Sequence, residues 1–439
     1  MKLLLVSAAQ LQDDGTPLRR KKAFLIPLSV YLLAGMTPRD WQIEIANEYT
    51  DEIDYQGDYD LVGITLTTLH SQRGYEIARR FRENGKKVVL GGFHPTLFTE
   101  ETRRHADSVV VGEAELVWER LLDDARHGRL QPVYQADRLC DMKNQPVPRY
   151  DLIDQKKYLN NVFPAESTRG CPYNCDYCSV TTFYGHKYRF RPVDEVARDI
   201  RASGSRFIGF VDDNIAGKLE YSAELYSALI PLKIFWMSQV SIRLADDERV
   251  LALAARSGYR YAVIGIETLD KQNLEAVGKK NVNQVDEYVA KTKLFKKYGI
   301  TVCTNLMFGF DNDTPETFTR TFDFVRRNCF MVNPYILTPY PGTRLYDRME
   351  KDGRLLHKDY WRYTSYQTVF RPKGFTPPEL DRQFMDFYRK CYDLPFIARR
   401  FYHGLSIKRP WGSFMTQVAV AINSLAVRYN LQRGILPYF

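Results

Sequence analysis

Cysteine is scarce in this chain, seven in 439 residues, and no secretory leader is apparent. The expectation is therefore a reduced, intracellular protein and not one stapled by disulfides. No segment reaches the roughly 18 to 20 consecutive apolar residues that cross a bilayer. The longest candidates, 23–36 and 414–427, are interrupted by Pro27 or by Gln417 and Asn423, and they read as buried or amphipathic helices. No G-x-G-x-x-G follows the first strand, where Ala8-Ala-Gln-Leu-Gln-Asp-Asp14 stands instead, so a nicotinamide or flavin fingerprint is excluded there. Acidic residues are the minority, 53 against 62 Lys plus Arg, for a net charge of +9. The excess lies mostly in residues 371–439, where 11 basic residues face four acidic ones, a net +7.

Three of the cysteines stand together in Thr168-Arg-Gly-Cys-Pro-Tyr-Asn-Cys-Asp-Tyr-Cys-Ser179. The spacing C-x3-C-x2-C puts Cys171, Cys175 and Cys178 on one short loop. Three thiolates can hold three irons of a 4Fe-4S cubane and leave the fourth iron open to a ligand. Structural zinc wants four N/S ligands and usually a second Cys or His pair downstream, which is missing. The remaining Cys140, Cys303, Cys329 and Cys391 are singletons, expected as small buried hydrophobes.

The length exceeds what a single core supports, so two or three domains are expected. The first 130 or so residues alternate strands (2–7, 42–47, 61–65, 87–90, 108–111) with helices (25–36, 72–84, 97–105, 116–127), the pattern of a doubly wound parallel sheet. Ligands of such sheets sit outside the carboxyl ends of the strands. Those ends read Thr65-Leu-Thr-Thr68, Gly91-Gly-Phe-His-Pro95 and Gly112-Glu-Ala-Glu115. After the turn-rich Asn144-Gln-Pro-Val-Pro-Arg149, a second alternation places strands at 165–168, 207–212, 235–241, 261–266, 302–307 and 333–337. Their ends carry Asp212-Asp-Asn214, Gln239 with Ser241 and Arg243, Gly265-Ile-Glu267, Gly309-Phe-Asp-Asn-Asp313 and Thr338-Pro-Tyr-Pro-Gly-Thr343. Some of these have plain structural readings. Asp313 before Thr314-Pro315 reads as a helix N-cap, Pro341-Gly342 as a turn, and Asp212 or Asp213 as a cap.

The cysteine loop resembles the signature of the radical S-adenosylmethionine (SAM) enzymes, and Tyr177 before the third cysteine matches the aromatic residue that lies near the adenine in that family. The strand ends of the first domain resemble the cobalamin-binding domain that precedes the radical SAM domain in one subgroup, which includes hopanoid methylases and anaerobic cyclases of chlorophyll synthesis. The resemblance covers about residues 1–371. It implies an α/β chain: a Rossmann-like cobalamin-binding domain (1–135), a linker (136–163) and a partial (β/α)6 radical SAM barrel (164–370), to which the residues of the tail add a helical C-terminal extension (371–439). It also implies three cofactors, a 4Fe-4S cluster on Cys171, Cys175 and Cys178, SAM, and cobalamin. Thr65, Thr67, Gly91 and Gly92 would accept the cobalamin tail, with His94 nearby. Tyr177, Asp213, Gln239, Arg243 and Glu267 would contact SAM, Arg243 through the SAM carboxylate and Glu267 through the ribose hydroxyls. The Asp-x-His-x-x-Gly loop of the wider cobalamin family is missing, so either cobalt is bound without that histidine or the domain survives as a scaffold.

Such an enzyme methylates an unactivated carbon: cobalt takes a methyl group from one SAM, and a 5'-deoxyadenosyl radical from another opens the C–H bond. No residue stands out as an obligatory acid or base, since the cofactors carry the hard chemistry. The alternatives are a cyclisation or rearrangement with the same cofactors, or a sensor or carrier without turnover. The expected substrate is a bulky apolar or natural-product small molecule, lipid or tetrapyrrole-like, and the expected electron donor is of flavodoxin or ferredoxin type. The basic, aromatic tail (Phe384, Phe387, Tyr388, Tyr392, Phe396, Phe401, Tyr402, Trp411 and Phe414, with Arg399-Arg400 and Lys408-Arg409) reads as a helical cap lining the substrate channel. It also suits peripheral contact with anionic lipid. Neither a β-barrel alternation nor a phosphate-cradling glycine loop speaks for nucleic acid, and a cytoplasmic protein with peripheral membrane association is expected.

Overall fold

The computed structural model describes residues 1–159, 161–328, 331–405 and 413–432. Cys329, Lys408, Arg409 and Trp411 lie outside the described residues, as does the side chain of Phe414. The chain forms two compact units, one of residues 1–165, 194–205 and 359–363, the other of 166–193, 206–358 and 364–439.

In the first unit the order is β1 (Lys2–Ser7), α1 (Leu28–Met36), β2 (Gln42–Asn47), β3 (Leu61–Thr65), α2 (Ser71–Glu83), β4 (Lys87–Gly91), α3 (Phe93–Leu97), α4 (Thr99–Thr102), β5 (Ser108–Val111), α5 (Trp118–Arg126) and β6 (Val133–Gln135). The strands pair in the order β2-β1-β3-β4-β5-β6, all parallel. Apolar runs such as Leu3-Leu-Leu-Val6 are buried on both faces, as parallel sheets require. The order reverses at β1, which makes the carboxyl ends of β1 and β3 a topological switch point. Register aligns Ser7 with Thr65 and Thr65 with Gly91 there. The helix expected at 97–105 is instead α3 and α4, broken at Phe98 (φ −123°, ψ 52°), and β6 is a strand the sequence reading missed.

The strand expected at 165–168 is two pieces, β7 (Val162–Ala165) and β8 (Thr168–Arg169). In the second unit, β8 pairs antiparallel with β9 (Arg189–Phe190), and α6 (Ser179–Tyr184) lies between them in sequence. After α7 (Val193–Ser203) come β10 (Phe207–Phe210), α8 (Leu219–Leu229), β11 (Phe235–Val240), α9 (Glu248–Arg256), β12 (Tyr259–Glu267), α10 (Lys271–Ala276), α11 (Tyr288–Lys297), β13 (Thr301–Phe308), α12 (Pro315–Asn328), β14 (Met331–Ile336) and α13 (Arg344–Lys351). Strands β10 to β14 pair in sequence order, all parallel, so their carboxyl ends share one rim.

The tail is helical, as α14 (Pro377–Cys391), α15 (Leu394–Leu405) and α16 (Ser413–Gln432). Thr376 and Glu379 form a capping box at the start of α14, with proline in the first turn, which satisfies the orphan amides there. Its apolar face belongs to the core of the second unit. Phe387 sits 4.7 Å, ring to ring, from Phe308, which stacks on Phe318 at 4.3 Å. Of the pair Arg399-Arg400, only Arg399 is exposed; Arg400 is buried against the Tyr392 and Phe396 rings. No described helix is long and apolar enough to cross a membrane.

Candidate active site

The cysteine loop leaves β8 through Gly170, whose φ of +85° suits glycine and where a Cβ would stand 2.1 Å from the Lys187 carbonyl oxygen. Three anchors hold it. The Asp176 amide donates to the Val277 carbonyl at 3.1 Å, and the Leu345 amide donates to the Asp176 carbonyl at 3.0 Å. From α13, Arg344 donates to the Asn174 carbonyl at 2.7 Å, and Arg344 and Arg348 pair with the Asp176 carboxylate at 2.7 and 3.0 Å. Cys171, Cys175 and Cys178 are free, half-buried thiols. Burial pushes all three up, Cys178 to about 12; a bound cation reverses this and deprotonates a ligating thiol. Among the described residues, no three His, Cys, Asp or Glu side chains gather as they would around one ion. In a cubane each thiolate takes a different iron, so three thiols on one short loop suit three irons of a cluster with the fourth left open. Cys140, Cys303 and Cys391 are buried, as expected of singletons.

Asp212, Asp213 and Asn214 do not cap a helix. Asp212 accepts the Ser167 amide (3.1 Å), the Ser167 hydroxyl (2.5 Å) and the Thr168 hydroxyl (2.6 Å). Asp213 accepts the Gly170 amide at 3.3 Å. The Asn214 side-chain amide donates to Cys171 Sγ at 3.9 Å while its Oδ1 accepts the Ser241 amide at 3.0 Å. The triplet thus ties the entry of the cysteine loop to the end of β11. Burial holds Asp212 up at about 6 and Asp213 at about 7, against the hydrogen bonds that favour the carboxylate.

Glu267 ends β12 in the left-handed region, φ +68°, buried and paired with Lys279. The Lys279 ammonium lies 6.0 Å from the centroid of the Tyr177 ring, so the cysteine loop, Tyr177 and Glu267 come together. Gln239 is exposed on β11, its carbonyl accepting the Ile215 amide at 3.2 Å. Arg243 is more committed than its sequence position suggested: it pairs with Asp246 (3.2 Å) and donates to the Asn281 carbonyl (3.0 Å). Asp313 accepts the amides of Gly309 (2.8 Å) and Phe310 (3.1 Å), residues before it, and the Asn273 side chain (2.9 Å). It closes a turn and is not an N-cap. Pro341-Gly342 is a turn leading to Thr343, whose hydroxyl caps α13.

In the first unit, the Thr67 hydroxyl and His70 Nδ1 are 2.7 Å apart and His70 Nε2 meets the Tyr49 hydroxyl at 3.2 Å. Burial pushes His70 down to about 4, so it is neutral. His94 is fully buried, with Nε2 2.8 Å from the Tyr75 hydroxyl and Nδ1 without a partner; burial lowers it to about 4. Gly92 has φ +111°, and a Cβ there would meet the Leu66 carbonyl oxygen at 2.6 Å. Its own turn demands glycine, with or without a ligand. Gly91 is different, since a Cβ there would meet only Val110, at 3.4 Å. No backbone contact demands glycine at Gly91, which fits a close approach of a ligand to the backbone at the end of β4. Sequence reasoning missed Lys279, Arg344, Arg348 and His70. The i,i+4 arginines were a detectable signal, while Lys279 and His70 belong to no motif.

Known proteins match this chain over most of its length. The Radical SAM superfamily matches residues 165–325, and the B12 binding domain matches residues 20–122. The chain is 32% identical over 392 residues to a bacteriochlorophyllide d C-12(1)-methyltransferase of Chlorobaculum tepidum, covering 86% of this chain and 85% of that one. It is 26% identical to a hopanoid C-2 methylase of Rhodopseudomonas palustris, over 77% of this chain and 66% of that one. The fold is similar to that of TsrM, a radical SAM methyltransferase of Kitasatospora setae solved with cobalamin and a [4Fe-4S] cluster (TM-score 0.67, 14% identity, 98% and 99% of the two chains). Two matched domains in one chain, aligned along nearly its whole length with a methyltransferase, mean that this protein belongs to the cobalamin-dependent branch of the radical SAM enzymes, whose cofactors are a 4Fe-4S cluster, SAM and cobalamin.

Proposed function

We propose that this C-methyltransferase acts on a ring-bearing, largely apolar small molecule of the tetrapyrrole class, at an unactivated carbon. The observation that carries this reading is the alignment at 32% identity with a bacteriochlorophyllide methyltransferase over 86% of the chain. Cys171, Cys175 and Cys178 would hold the cluster. Glu267 would accept the ribose hydroxyls of SAM, with Tyr177 beside the adenine and Asp213 near the SAM amino group. Gln239 and Arg243 would complete that pocket, Arg243 after exchanging Asp246 for the SAM carboxylate. Thr65, Thr67, Gly91, Gly92 and His94 would flank the cobalamin tail. When bound, the cofactors supply the methyl group and the radical that opens the C–H bond; the chain's residues bind, orient and exclude water.

The proposed division of labour follows the cobalamin-binding (1–135), linker (136–163), barrel (164–370) and C-terminal (371–439) segments. A flavodoxin- or ferredoxin-type donor would reduce the cluster in the cytoplasm. Exposed Tyr402, Ile422, Leu425 and Tyr429 of the tail suit peripheral contact with a membrane surface. The test is anaerobic turnover with methyl-labelled SAM and candidate chlorophyllides. Label in the product together with 5'-deoxyadenosine is expected. Product without label would favour the cyclisation reading, and failure to form 5'-deoxyadenosine under reduction would overturn radical chemistry.

A further inference from the structure

Lys279 is the one buried lysine among the described residues, 9% exposed. A buried ammonium needs a paired charge and hydrogen bonds to offset its lost hydration, and the partners here are specific. It pairs with Glu267 and donates to the Gly265 carbonyl at 3.3 Å. The backbone on either side is equally constrained. The Val277 carbonyl accepts the amide of Asp176, between the second and third cysteines, at 3.1 Å. Gly278, at φ +70°, leaves 3.1 Å between a would-be Cβ and the Asn174 carbonyl. On the strand side, Asn283 donates to the carbonyls of Gly265 (2.8 Å) and Ile266 (2.9 Å), and the Tyr288 hydroxyl to that of Ile266 (3.1 Å). These bonds hold the rim where Glu267 adopts φ +68°, a conformation uncommon outside glycine.

We propose that Lys279 is a positioning residue that couples the cysteine loop to the end of β12, fixing the Glu267 carboxylate where it receives the ribose of SAM. The segment 277–279 is bonded to the loop through its backbone and to Glu267 through one side chain. A shift of either element therefore moves the carboxylate relative to the cysteines. This inference rests on the assignment of Glu267 to the ribose.

The test uses the full-length, anaerobically reconstituted enzyme with Lys279→Met, Lys279→Arg, Glu267→Gln and the double variant Lys279→Met/Glu267→Gln. Iron per chain is measured, and SAM affinity is read from the change SAM causes in the electron paramagnetic spectrum of the reduced cluster. Lys279→Met is expected to keep its iron and lose SAM affinity by roughly tenfold or more, with Lys279→Arg recovering most of the loss. The double variant should bind SAM no more weakly than the weaker single variant, because both changes break one linkage. Wild-type SAM affinity in Lys279→Met beside a weakened Glu267→Gln would overturn the proposal, as would losses that simply add. Unchanged affinity in Glu267→Gln would instead reject the ribose assignment. Loss of iron from both Lys279→Met and Lys279→Arg would also overturn it, since Lys279 would then serve the cluster loop itself.

Discussion

Asp212 accepts both the amide and the hydroxyl of Ser167, at 3.1 and 2.5 Å, in a fully buried setting. The contact fixes the chain just before the cysteine loop to the end of β10, so a residue that read from the sequence as a helix cap turns out to brace the loop. Asp212→Ala would leave the Ser167 amide and two hydroxyls without an acceptor. The expected loss is about 2–4 kcal/mol, as buried donors are costly to leave unmade, read as a lower urea midpoint; an unchanged midpoint would refute the bracing role.

Replacing Cys171, Cys175 and Cys178 together by Ala should abolish the broad visible iron–sulfur absorption and all SAM cleavage. Cobalamin uptake by the first unit should persist. About four irons per chain in that variant would contradict the assignment.

Asp313 gives the second unit a pH dependence of definite sign. Burial raises its folded-state value to about 7 from an ordinary 3.8, so between these values the folded protein holds a proton that the unfolded chain has released. Stability from this group is fully present below about pH 4 and declines as pH rises to about 7, by an amount on the order of a few kcal/mol. Melting curves at pH 5 and pH 8 should differ less in Asp313→Asn than in the wild type; equal differences would exclude Asp313 as a source.

The two adjacent glycines at the end of β4 should separate cleanly. Gly92→Ala strains a turn at φ +111° and should cost more than about 1 kcal/mol in the protein without cobalamin. Gly91→Ala should leave that stability nearly unchanged and weaken hydroxocobalamin uptake, followed by its absorption spectrum, by roughly tenfold. Full uptake by Gly91→Ala would remove Gly91 from the proposed site.

Phe387→Ala should destabilise the second unit by about 3–5 kcal/mol, the usual cost of deleting a buried aromatic ring. A tail acting only as a detachable cap would show almost no change in the denaturation midpoint.

Much was legible in the sequence for a physical reason. A C-x3-C-x2-C loop can bring three thiolates together by local geometry alone, and apolar runs alternating with helical periods determine a parallel sheet, because each strand must be buried on both faces. Boundaries of β1, β2, β3 and β5 followed directly. What only the tertiary structure decided depended on partners far apart in sequence. Asp212 and Asp313 looked like helix caps because strand ends and prolines are local signals, yet their partners are Ser167, Thr168 and, for Asp313, the turn at Gly309 together with Asn273. Gly92 looked like clearance for a ligand, but the Leu66 carbonyl already claims that space. Lys279 carried no signal at all, because a lysine's role is set by whether the fold buries it, and burial beside Glu267 emerges only when the end of β12 and the segment after α10 meet the cysteine loop.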